Sequence, residues 1–177
     1  MNDQRRLHFP VAICFALVLV ACGPDGPLEP DNGGWGKVMR PTSGPRYHEI
    51  KVDDVSIDVR LALTTEQRHQ GLGGVLSLGN KQGMLFVYRD PMLRNFWMKD
   101  CLIALDIAYI DEQGIIFQVS TLAPPPSGTP DILVPHVPSS AACTMVLEMA
   151  AGFFKRHGLR VGSRVTIPGT VPIHRVE

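Results

Sequence analysis

The chain has 177 residues, enough for one domain plus accessories, and its 17 basic and 17 acidic side chains cancel. Charges so balanced and scattered suit neither a counterion-releasing grip on phosphates nor a polybasic membrane patch, and an aromatic share of 7% leaves no stacking ladder for single strands. No nucleic-acid partner is therefore expected.

Residues 1–22 read as a signal segment. Arg5 and Arg6 form a cationic head, and Val11 to Ala21 is an apolar run too short to span a bilayer but suited to a signal-peptide core. The run ends in Leu19-Val20-Ala21-Cys22, a lipobox-like sequence that makes Cys22 the expected lipidated residue. An ordinary cleaved signal is the alternative. Gly23, rather than aspartate, follows the cysteine, which favours an outer-membrane address, so that a lipid anchor at the outer membrane or the periplasmic face is expected. Residues 23–45 are rich in glycine and proline and have little to bury, so they suit a flexible tether reaching on the order of 25 Å. The expected folded domain is 46–170.

A short strand at Glu49 to Val52 and a turn at Asp53-Asp54 precede Val55 to Leu61, whose period-two alternation predicts a half-buried strand. Thr64 with Gln67 forms a capping box, which predicts a helix from Thr65 to Gln70 that stops at Gly71. After a glycine-punctuated loop, Met84 to Tyr88 reads as a buried strand and Arg89-Asp90-Pro91 as a turn. Phe96 to Ile110 holds one or two strands. Asp111 to Gly114 is a tight turn, across which Ile115 to Thr121 pairs back.

Six prolines between Pro124 and Pro138 predict a surface loop. A second helix is expected from Ser139 or Ser140 to Gly158, with Ala142, Val146, Met149 and Phe153 on its apolar face and Thr144, Glu148 and Lys155 opposite. A final strand covers Arg164 to Ile167. The expected fold class is α+β: a mostly antiparallel sheet, open or barrel-like, with two helices packed on it.

Trp97, Lys99 and Asp100 stand together before an apolar run and could form a ligand-binding rim, although a strand end with a surface ion pair is the plainer reading. Asp106 interrupts that run. A buried carboxylate must be paired or hydrogen-bonded, and Arg68 is the preferred partner with Lys99 second; a clamp is favoured over catalysis. His136, in the proline loop, is the histidine closest to a functional role. The histidines share no metal-ligand spacing, and no zinc, serine-nucleophile or phosphate-loop motif occurs, so neither metal nor cofactor is expected. Cys101 and Cys143 could form a disulfide in an oxidising envelope, closing a loop of about 42 residues, or stay as two buried thiols.

Several blocks resemble a known family, the domain of unknown function 192. They are Arg68-x-x-Gly71-Leu72, Gly83 to Tyr88, Phe96-Trp97-Met98-Lys99, Leu105 to Asp111, Val146-Leu147-Glu148 and Gly162, in order over about residues 48 to 168. The resemblance implies an α+β fold and brings no catalytic residues. Asp100, Cys101 and Ala104 stand where the family usually has Asn, Thr and Pro, Gly73 stands for a usual methionine, and Cys143 for a small residue. Two unusual cysteines in one chain favour the disulfide. The resulting expectation is a lipid-anchored cell-envelope domain that binds a small ligand or an envelope partner. The alternative is an envelope hydrolase using Asp106 with Lys99 or Glu148.

Overall fold

A computed structural model describes residues 46–177. The signal segment 1–22, the lipidation site Cys22 and the tether 23–45 lie outside the described residues. Among those residues, no helix is long and apolar enough to cross a membrane.

Nine strands and two short helices follow one another: β1 (His48–Val52), β2 (Val55–Ala62), α1 (Thr65–Gln70), β3 (Gln82–Met92), β4 (Asn95–Trp97), β5 (Leu105–Ile110), β6 (Ile116–Leu122), β7 (His136–Pro138), β8 (Cys143–Ala150), α2 (Phe153–Arg156) and β9 (Val165–Thr166). Seven of these strands form one sheet in the order β6-β5-β8-β3-β2-β1-β9, and β4 pairs with β7 in a separate two-stranded piece. The sheet is mixed rather than purely antiparallel, because the crossover through α1 makes β2 and β3 parallel. It curls until its two edges meet at one end, where Ile115 bridges Arg164 and the Val165 amide donates to the Gly114 carbonyl. The result is a partly closed barrel.

Alternation along the strands splits the core in two. Ile50, Val59, Leu85, Ala108, Leu147 and Met149 fill the concave side. Phe86, Phe96, Met98, Leu105, Ile107, Tyr109 and Val146 fill the outer side, beneath β4 and β7.

Two expected local signals form as read. The Thr64 hydroxyl accepts from the Gln67 amide while the Gln67 side chain accepts from the Thr64 amide, closing the capping box of α1. At the hairpin, the Asp111 carboxylate accepts from the Gln113 and Ile115 amides and Gly114 takes φ +78°.

Two expectations are corrected. Arg89-Asp90-Pro91 is not a turn: β3 runs on to Met92 through a register shift between Val87 and Met92, the kind of irregularity that accommodates proline at a sheet edge. The helix expected from Ser139 to Gly158 is instead the central strand β8, followed by a helix of only four residues, α2. Because β8 lies between β3 and β5 and is covered on both faces, its residues show no period of two, and a short apolar run of this kind resembles one face of a helix. The chain beyond position 170 also packs on the domain, with Val171 buried and the Glu177 amide donating to the Leu63 carbonyl.

Candidate functional site

β8 carries a carboxylate into the outer core. Glu148 pairs with Met84 of β3 on one side and Ile107 of β5 on the other, so it shares a face with Val146, while Leu147 and Met149 point to the concave side. Only 4% of Glu148 is exposed, and burial pushes its carboxyl up to about 8, opposed by the charge of Arg60. Arg60 stands two strands away in the same cross-sheet row, with Met84 between them. Glu148 is therefore largely a neutral acid at pH 7, able both to donate and to accept a hydrogen bond.

Glu148 borders a cavity of about 30 Å³ together with Cys101, Phe86 and Lys99. Burial raises the Cys101 thiol to about 11, so it too is uncharged at neutral pH. Arg68, His69, Phe96 and Trp97 line both this small cavity and a wider cleft of about 390 Å³ outside it. The small cavity beside Glu148 and the wider cleft thus share four wall residues, and the cleft is wide enough for a small molecule.

Aromatic groups dominate the outer cleft. Trp97 and His136 are direct cross-strand partners in the β4–β7 ribbon, with ring centroids 5.8 Å apart, and the Asn95 amide nitrogen lies 3.2 Å from His136 Nδ1. Tyr88 closes another side between two guanidinium groups, Arg68 at 5.1 Å and Arg94 at 3.8 Å from its ring centroid. Burial raises the Tyr88 hydroxyl to about 12.

The structure brings Trp97, His136 and Arg68 together on the cleft, as the sequence suggests, but redistributes the others. Lys99 forms an ion pair with Asp131 at 2.5 Å, which holds its ammonium above the ordinary lysine value, and it borders the inner cavity as well as a second hollow under the proline loop. Asp100 takes φ +56° at the turn after Met98, and its carbonyl accepts from the Gly74 amide. The left-handed conformation explains why the position suits Asp or Asn: both tolerate it better than other non-glycine residues. Asp100 shapes a turn and does not line the Trp97 cleft.

The Arg68–Asp106 pair is not present. Asp106 lies on the concave side of β5 and accepts from the Thr121 hydroxyl at 2.6 Å and the Phe154 amide at 3.3 Å, tying α2 to the sheet. Arg68 does clamp the first helix, but through oxygens of other groups. One of its nitrogens donates to the Leu63 and Val87 carbonyls, and the other to the Thr65 hydroxyl and the Glu177 carbonyl. Arg68→Ala should cost about 2 kcal/mol in urea unfolding by leaving those acceptors unsatisfied. Arg68→Lys should recover little of it, because an ammonium lacks the planar fork.

Asp106 and Glu148 also face opposite sides of the sheet, which removes the carboxylate pair expected of a hydrolase. The expected disulfide is likewise absent: Cys101 and Cys143 are free, buried thiols in the outer core. Among the described residues, no group of three or more His, Cys, Asp and Glu side chains could hold a metal ion.

Sequence reasoning missed His69, Asn95 and Tyr88 as cleft residues, and it named Glu148 only as a hydrolase alternative on a solvated helix face, not as a buried acid. A signal for Glu148 did exist. It is the one charge in the run from Met145 to Phe154, the same anomaly that marks Asp106 in its own apolar run.

Residues 48–167 match the family model DUF192, described as an uncharacterized ACR. Among solved structures, a protein from Sinorhizobium meliloti provisionally described as a transcription regulator is 28% identical, with TM-score 0.57 over 66% of this chain and 88% of that one. A protein of unknown function from Novosphingobium aromaticivorans is 24% identical, with TM-score 0.62 over 73% of this chain and 91% of that one. No curated protein matches the chain significantly.

Proposed function

The chain belongs to the domain of unknown function 192 family, and from that premise we propose that it is a non-enzymatic small-ligand-binding module of the cell envelope, binding at the cleft beside Trp97. The observation that carries this reading is the buried, largely neutral Glu148 carboxyl in a small cavity that shares Arg68, His69, Phe96 and Trp97 with the aromatic cleft. Acids whose charge is disfavoured by burial in a cleft concentrate at functional sites. The chemistry suits a compact ring-bearing molecule. Its face would lie on Trp97 and His136, and a carbonyl or hydroxyl would meet the Glu148 acid. The cleft offers aromatic faces together with several polar groups, from Thr65, Arg68, His69 and Asn95, that could orient a bound molecule.

The sequence supports an envelope location through the signal-like run and the lipobox ending at Cys22, which would make the membrane a partner through an acyl anchor. The regulator-like description of the Sinorhizobium protein belongs to that protein. Here the equal numbers of basic and acidic side chains favour a small ligand over nucleic acid.

Screening small aromatic and monosaccharide fragments by protein-observed NMR tests the proposal. The Trp97 indole and His136 resonances should move together, and Trp97→Ala should abolish the response to the same fragments. Shifts that survive Trp97→Ala, or that map to other surfaces, would contradict it.

A further inference from the structure

We propose a second, separate ligand site: the hollow between Arg46, Arg60 and Arg175 binds a phosphoryl group. Its volume is about 380 Å³, and none of the residues lining it is acidic. Its three guanidinium groups arrive from three places. Arg46 precedes β1, Arg60 projects from β2, and Arg175 is brought back over β2 by the short helical turn Ile173–Arg175 that follows Pro172. The bond from the Glu177 amide to the Leu63 carbonyl fixes that return. His48 and Gln67 add two more polar side chains to the rim.

What distinguishes the hollow from an ordinary basic surface is Arg60. Its Nε and one Nη are buried and have no hydrogen-bond partner. Buried guanidinium donors without an acceptor are costly, and the usual remedy is a carboxylate or a phosphate gripped by the planar fork. Among the described residues the one ion pair is Lys99–Asp131, so none of their carboxylate side chains engages Arg46, Arg60 or Arg175 within ion-pair distance. Glu148 is the nearest acid in the same cross-sheet row, but Met84 stands between it and Arg60. Three cations around one hollow, one of them carrying buried donors without a partner, fit a compact tetrahedral oxyanion. The hollow and the Trp97 cleft lie on different residues, Gln67 lining one and its neighbours Arg68 and His69 the other.

Calorimetric titration of the full-length chain, held in a detergent lacking phosphate groups, tests this with two probes: inorganic phosphate, and dihexanoyl phosphatidic acid below its micellar concentration. At least one should bind. Arg60→Gln and Arg175→Ala should each weaken it by about tenfold, the loss of one charge-assisted contact, while Trp97→Ala leaves it unchanged. Tighter binding of inorganic phosphate would identify a free or small-molecule phosphoryl group, and tighter binding of the short-chain lipid a headgroup. Arg175 is exposed, so its variant keeps the test decisive if Arg60→Gln fails to fold. Binding of neither probe, or binding unchanged in Arg175→Ala and Arg46→Ala, would overturn the proposal.

Discussion

Replacing Glu148 by Gln should make the protein more stable than the wild type at pH 9 and leave it nearly equal at pH 4. In the folded chain burial holds the Glu148 carboxyl at about 8 against an ordinary value of 4.5. Below the unfolded value both states carry the proton, so Glu148 costs nothing in pH-dependent terms. Between about 4.5 and 8 the folded state keeps a proton that the unfolded state releases, so stability falls as pH rises. Above that window the loss is complete and would approach about 5 kcal/mol at its upper limit. The amide of Glu148→Gln cannot ionise and removes this dependence while filling almost the same volume. Urea unfolding of both proteins from pH 4 to pH 9 isolates the effect, because every other titrating group is common to the pair. Parallel curves for the two proteins would mean that Glu148 is not held neutral.

Gly83→Ala should be the most damaging small substitution in the sheet. Gly83 lies on β3 between Val59 of β2 and Met149 of β8. A Cβ there would stand 2.3 Å from Met149 Sδ and 2.4 Å from the Glu148 carbonyl oxygen. The methionine sulfur can swing aside. The carbonyl cannot, because it belongs to the backbone of the central strand. One methyl group must therefore push β8 away from β3, and with it the strand that places Glu148. A loss of about 3 kcal/mol, at the upper end for overpacking, is expected in urea unfolding, together with a poor soluble yield. A change within about 0.5 kcal/mol, the range of ordinary surface substitutions, would show that the two strands are not so closely apposed.

Much of the architecture was legible because its signals are local. The capping box at Thr64 and Gln67 marks both the start and the hydrogen bonding of α1, and the turn at Asp111 to Gly114 marks the β5–β6 hairpin. The family blocks run in order from Arg68 in α1 to Gly162 just before β9. What was hidden depends on burial from both sides. β8 has no polar face to betray its period, so Val146, Met149 and Phe153 pass for a helical stripe, and Glu148 is then assigned to solvent. The parallel pairing of β2 and β3 follows from a crossover through α1 that no local pattern announces.

At the site, adjacency in sequence was a sound guide for Trp97 and Lys99, whose ammonium lies 5.4 Å from the Trp97 ring centroid, but a poor one for Asp100. Strand β4 ends at Trp97, the turn at Asp100 reverses the chain, and Lys99 is captured by Asp131. Asp106 and Arg68 were rightly singled out as groups needing partners. The partners themselves, Thr121 and a row of carbonyls, come from distant segments that sequence spacing cannot rank.

The account rests above all on a neutral acid in the small cavity that shares its walls with the Trp97 cleft, and infrared titration of carboxyl groups, with Glu148→Gln as the reference, measures it directly. The account predicts a protonated-carboxyl band in the wild type at pH 6 that disappears with a midpoint near 8 and is missing from Glu148→Gln. If Glu148 instead loses its proton in the ordinary carboxylate range, the cleft holds an anion and the reading proposed for it is wrong.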